Sequence, residues 1–221
     1  MTADVGMPVP TSPGGVRVER LVTSGTFELD GGSWEVDNNV WLVGDDHDVL
    51  VVDAAHDAAA ILDAVGDRRL VGVVCTHAHN DHVNAVAEVV AATGATAYLH
   101  PADRVLWDQT QADPPGAELA DGQVLTVGDV ALTVLHTPGH APGACCLHAP
   151  ALGVLLSGDT LFNGGPGATG RSYSHFPTIV ESIRTRLLGL PPQTVVLTGH
   201  GDVTTIGAEA PHLQEWIARG H

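Results

Sequence analysis

Apolar positions along the first quarter of the chain fall into short runs of strand length. Arg17-Val18-Glu19-Arg20-Leu21-Val22, Val40-Trp41-Leu42-Val43 and Val49-Leu50-Val51-Val52-Asp53 read as strands, and Asp30-Gly31-Gly32 is a hairpin signal between the first two. Together they predict one meander from about Val16 to Ala54. The period then changes: Ile61, Leu62 and Val65 have helical spacing within residues 58–65, and Leu70-Val71-Gly72-Val73-Val74-Cys75 is a continuous apolar run. Val83, Val86, Ala87 and Val90 share a helical face, with Asn80 or Asp81 placed to cap its start and Gly94 placed to end it.

Further on, Ala97-Tyr98-Leu99 predicts a short strand, residues 102–107 a helix and residues 109–121 a Pro/Gly loop. Strands follow at 124–127 and 131–135 around Gly128-Asp129, then at 144–147 and 154–156. A helix over 178–188 precedes a last buried strand, Thr194-Val195-Val196-Leu197. Alternating helices and strands predict an α/β fold with helix-covered sheets. Residues 1–15, rich in Pro, Gly and Ser, are expected as a flexible tail, and residues 16–221 as a single domain.

Composition narrows the function. The 221 residues are 44% apolar and carry a net charge of −17, with nine Arg and no Lys, which argues against nucleic acid as a partner. Three cysteines, Cys75, Cys145 and Cys146, give no readable disulfide framework, so they are expected to be buried, inert thiols in a reducing compartment. The N-terminus has neither a basic start nor an apolar run, so a cytoplasmic protein that does not engage a membrane is expected.

The chemistry is concentrated in Thr76-His77-Ala78-His79-Asn80-Asp81-His82, directly after a predicted buried strand. Imidazole nitrogens and carboxylate oxygens at this density suit divalent ions, and alternate spacing lets two His converge while the next Asp-His pair turns elsewhere. His140, Asp159 and His200 also stand where predicted strands end, each beside a glycine: Thr137-Pro138-Gly139-His140, Ser157-Gly158-Asp159-Thr160 and Thr198-Gly199-His200-Gly201.

In this order, the four segments resemble those of metallo-β-lactamase-fold hydrolases, and within them most closely the glyoxalase II (hydroxyacylglutathione hydrolase) group of thioester hydrolases. The resemblance runs from about residue 20 to residue 205 and implies an αββα sandwich with its site at one edge. It implies that His77, His79 and His140 hold one metal ion, that Asp81, His82 and His200 hold a second, and that Asp159 bridges them. The implied cofactor is two divalent ions, zinc first, with iron or manganese as alternatives. Two such ions roughly 3.5–4 Å apart activate water near neutral pH and polarise a carbonyl. Asp81 is in addition a candidate general base.

Asp53, ending a predicted strand, is a candidate to support a metal-bound imidazole, with a helix cap as its alternative role. Arg171 and Tyr173, on a Gly-rich loop, are candidates for substrate binding, a solvated loop being the alternative. His56 and the other histidines outside the set have no counterpart in the ligand pattern.

The long glyoxalase II enzymes carry a C-terminal domain with cationic residues for glutathione. Here the chain ends soon after His200 and contains no Lys. The expected substrate is therefore a thioester of another small thiol. A GC-rich actinobacterial source, suggested by the Lys-free and Ala-, Val-, Gly- and Asp-rich composition, would make it S-acyl or S-formyl mycothiol. The alternatives are a mononuclear iron persulfide dioxygenase, which uses a subset of the ligands, or a lactonase or β-lactamase-type hydrolase.

Overall fold

In the computed structural model, residues 5–220 are described. The first half contains β1 (Arg17–Leu29), β2 (Gly32–Gly44), β3 (Asp48–Val52), α1 (Ala58–Val65), β4 (Arg69–Val74), α2 (Asn80–Val83), α3 (Val86–Thr93), β5 (Ala97–Leu99), α4 (Arg104–Thr110) and β6 (Ala117–Glu118). Its six strands form one sheet in sequence order, antiparallel from β1 to β3 and parallel from β3 to β6.

The second half contains β7 (Val124–Val127), β8 (Val130–His136), β9 (Cys145–Ala149), β10 (Val154–Gly158), β11 (Leu161–Phe162), β12 (Gly165–Pro166), α5 (Phe176–Ser182), β13 (Val195–Thr198), β14 (Thr204–Thr205), α6 (Ile206–Glu209) and α7 (Leu213–Arg219). Its main sheet has the order β14-β13-β10-β9-β8-β7.

Side-chain alternation along the strands builds the layers. In β3, Val49 and Val51 pack toward α1 and α3, whereas Leu50 and Val52 pack between the sheets. In β10, Val154 and Leu156 enter the same inter-sheet core while Leu155 joins Ile179, Ile183 and Trp216 on the other side. Both sheets thus bury both faces, and the αββα sandwich expected from the sequence is the observed architecture.

One expectation is corrected. The helix expected to start at Asn80 or Asp81 is two short pieces, α2 and α3, and neither residue caps it. Asn80 instead pins β1, donating to the Thr26 carbonyl at 2.9 Å and accepting from the Glu28 N–H at 2.7 Å, while Asp81 turns inward. The tail expected over residues 1–15 lies outside the described residues at 1–4. From residue 5 onward it docks: Val5, Met7 and Val9 pack on the inter-sheet core, because their alternate spacing gives the segment an apolar face. Gly94 does end its helix, at φ +71°.

Among the described residues no helix is long and apolar enough to cross a membrane.

Candidate metal centre

The ends of β4, β8, β10 and β13 gather at one edge of the sandwich and bring His77, His79, Asp81, His82, His140, Asp159 and His200 together. His77 Nε2 lies 3.0 Å from His79 Nδ1, which lies 2.9 Å from His140 Nε2. On the other side, His82 Nε2 lies 3.2 Å from His200 Nε2, and Asp81 Oδ2 is 3.3 Å from His200 Nε2 and 3.5 Å from His82 Nε2. Asp159 spans the two groups, with Oδ1 3.4 Å from His82 Nε2 and Oδ2 3.4 Å from His140 Nε2.

The outer nitrogens explain why the inner ones converge. His82 Nδ1 is 3.0 Å from Asp53 Oδ2, His140 Nδ1 is 2.8 Å from the Ala168 carbonyl, and His200 Nδ1 is 2.8 Å from the Asp37 carbonyl. Thr76 Oγ1 donates to Asp53 Oδ2 at 2.7 Å, so it accepts from His77 Nδ1 at 3.2 Å. Each of these four rings commits its outer N–H to an acceptor and presents Nε2 to its neighbours. Asp53 thus holds both His82 and, through Thr76, His77. The cap of α1 is Asp57, whose side chain accepts from the Ala60 N–H at 2.9 Å.

Charge divides the site. Burial holds His77 and His140 below the usual imidazole range and His79 at about 3, so the three-histidine side is neutral. On the other side burial is outweighed by Asp159 and Asp81, which lift His82 well above that range and His200 to about 10. Asp159 stays ionised against its burial because His82 and His200 face it, and Asp81 is held at about 2 by His82 and His200.

This arrangement fits a cation. Ring nitrogens facing one another at 2.9–3.2 Å match donors about 2.1 Å from a tetrahedral ion, which lie roughly 3.4 Å apart. Asp81 Oδ1 and Asp159 Oδ1 are buried without a hydrogen-bond partner, a cost that an ion held by these two carboxylates would offset. Glycine makes the approach possible: a Cβ on Gly199 would occupy the space of Asp159 Oδ1 and His82, and one on Gly158 that of Thr76.

The superfamily assignment rests on more than the site. A family profile described as the metallo-beta-lactamase superfamily matches residues 34–200, which include every residue of the cluster. The chain belongs to the metallo-β-lactamase superfamily. Within it, the chain is 34% identical over 199 residues to the hydroxyacylglutathione hydrolase of Rhodobacter capsulatus, spanning 89% of this chain and 75% of that protein. Among solved structures it is similar to the BLEG-1 B3 metallo-beta-lactamase, with TM-score 0.76 and 28% identity over 88% of this chain and 99% of that one. It is likewise similar to TTHA1623 in a di-iron-bound form, with TM-score 0.72 and 31% identity over 79% and 93% of the two chains.

For a superfamily member of this kind, the remaining candidates sit farther out. Arg171 stacks over Trp34, with its guanidinium carbon 3.7 Å from the ring centroid, and Phe27 beside it meets the His79 ring edge-on at 5.2 Å. Arg171 is therefore one aromatic layer from the cluster. Tyr173 is 47% exposed on the same loop.

Sequence reading passed over two residues. Asp103, fully buried, accepts the N–H of Ala78 at 2.9 Å and the N–H of Gly143, tying the His77/His79 loop to the His140 loop. Asn38, also fully buried, donates to Asp81 Oδ2 at 3.1 Å. Neither lies in a motif. Cys75, Cys145 and Cys146 are free and buried, and burial raises each thiol above its ordinary range.

Proposed function

We propose that the protein is a dinuclear metal-dependent hydrolase that cleaves thioesters of a small thiol, S-acyl or S-formyl mycothiol being the specific substrate we favour. The observation that carries the reading is the division of seven donors into two groups spanned by Asp159. A closed structural site needs four ligands around one ion, whereas seven shared by two leave positions open. In this reading His77, His79 and His140 hold one ion, Asp81, His82 and His200 the other, and Asp159 bridges.

When bound, the ions supply Lewis-acid polarisation of the acyl carbonyl and bring the pKa of water toward about 7. The chain's own residues do the rest. Asp81 is ionised, and its Oδ1 has no partner while Asn38 holds its Oδ2, so Oδ1 is the oxygen placed to accept a proton from attacking water.

Beside His79 opens a cavity of about 450 Å³ lined by Glu28, Asp30, Ser33, Asn80, Gln109 and Thr110. Its carboxylates and amides match the hydroxyl groups of a neutral sugar-bearing thiol such as mycothiol and repel the carboxylates of glutathione. The free buried thiols fit a reducing compartment, and we place the enzyme in the cytoplasm.

Metal analysis of the purified protein, combined with a turnover screen over small-thiol thioesters, lactones and β-lactams, tests the proposal. Two ions per chain with thioester turnover, fastest for the mycothiol esters, is the expected result. One iron per chain with oxygen uptake would assign the persulfide dioxygenase reaction instead. Two ions without turnover of any thioester would overturn the thioesterase reading.

A further inference from the structure

His56 lies outside the ligand set, yet its ring is built into the support of Asp81. It stands in the loop between β3 and α1 at φ +61°. Its backbone N–H donates to Asn84 Oδ1 at 2.6 Å, which fixes the Asn84 amide and leaves Asn84 Nδ2 facing His56 Nδ1 at 2.9 Å. An amide NH2 only donates, so Nδ1 accepts and the ring proton resides on Nε2. His56 Nε2 then donates to Asn38 Oδ1 at 2.9 Å, and this fixes the second amide with Asn38 Nδ2 toward Asp81 Oδ2 at 3.1 Å.

One ring tautomer and one pair of amide orientations account for all four hydrogen bonds along this line from Asn84 to Asp81. Two further features are consistent with a site shaped around the ring. Asn38 is fully buried and would be costly to leave unpaired, and a Cβ on Gly25 of β1 would overlap the His56 imidazole. Burial also lowers the His56 pKa, which favours the neutral ring that the pattern requires.

We propose that His56 is a positioning residue: through Asn38 it orients the Asp81 carboxylate toward His82 and His200, and so sets the affinity of the second metal position without touching the ion. The inference rests on the two-ion reading above. It assigns to this histidine a role in that site which the ligand motif does not contain. Asp81 sits on α2, a helix of only four residues followed by Asn84, so α2 by itself offers little to hold a carboxylate against two facing imidazoles. The clasp of His56 on Asn84 anchors the end of that helix, and the Asn38 bond anchors the carboxylate itself.

Cobalt(II) titration of the metal-free full chain, followed by visible absorption, tests this with His56→Gly and His56→Gln. Glycine accepts the positive φ without strain, and glutamine keeps a donor for Asn38. In the wild-type protein two equivalents should bind. In His56→Gly the first equivalent should bind as before, while the second weakens by about 10-fold or more, the range found when an outer support of a metal ligand is lost. The second-site spectrum should change with it. His56→Gln should recover a large part of the affinity, while thermal unfolding of the metal-free variants stays near wild type. A wild type that takes two equivalents and a His56→Gly variant that takes both unchanged would overturn the positioning role alone. Equal weakening of both equivalents, with a large fall in metal-free stability, would also overturn it in favour of a general folding role. A wild type that takes only one equivalent would overturn the two-ion reading and this inference together.

Discussion

Each inward-facing imidazole is fixed by what its outer nitrogen meets, and Asp53 carries two of those contacts. In Asp53→Asn an amide NH2 placed at Oδ2 would face the His82 Nδ1 proton and push it to the nitrogen that points into the site. Metal affinity measured by chelator competition should fall about 10- to 100-fold with the fold retained. Asp103 gives the pH prediction. Burial raises its carboxyl to about 6, against partial relief from the N–H groups of Gly143 and Ala78, while the unfolded value is 3.8. The folded state therefore binds this proton more tightly, and the contribution is present below pH 4 and lost as pH rises to about 6. Measured on metal-free protein, wild-type stability relative to Asp103→Asn should decline across that window by up to about 3 kcal/mol and stay flat above it. The residues of the 76–82 string were legible because a dense His/Asp run has few other uses, and His140, Asp159 and His200 became legible only together with it. Asp103, Asn38 and His56 were not, because each matters only through a partner distant in sequence, such as Gly143 or Asp81.

At the scale of elements, the strand ends place the clustered His and Asp side chains and their glycines set the spacing. Gly158 ends β10 at φ +47° with Thr76 against the position of its missing Cβ, whereas Gly94 ends α3 at φ +71° in open space. Gly94→Ala should cost about 1 kcal/mol of stability by denaturant titration and leave metal binding intact. Gly158→Ala should cost more, about 2 kcal/mol or above, and weaken metal binding too, since Thr76 links Asp53 to His77. Strands and helices with clear periodicity, such as β3, α1 and β10, were readable because their burial follows period 2 or 3.6. The break between α2 and α3 was not, since Asn80 and Asp81 are good caps by residue type and only their contacts with β1 and β2 divert them.

For the whole molecule, the site lies where the two sheets meet, and the sheets are tied there directly. Trp41 Nε1 and Asn39 Nδ2 of β2 both donate to the Thr198 carbonyl at the end of β13, at 2.9 and 3.0 Å, and the Asn39 N–H donates to the Gly199 carbonyl at 2.8 Å. An ion held by residues of both sheets should therefore stabilise the assembled sandwich. At 100 times its dissociation constant, an ion that binds only the folded state adds about 2.7 kcal/mol per site. Chelation should lower the unfolding temperature, and added zinc should restore it. By itself the sequence determined the α/β class, the strand-end placement of the candidate His and Asp residues and a donor chemistry suited to divalent ions, because these follow from local periodicity and residue type. Only the tertiary structure decided how seven donors divide around Asp159, which carboxylates and amides hold them, and that His56 faces the site. Those facts depend on distances between segments up to 163 residues apart, as between Asp37 and His200, and no local pattern encodes them.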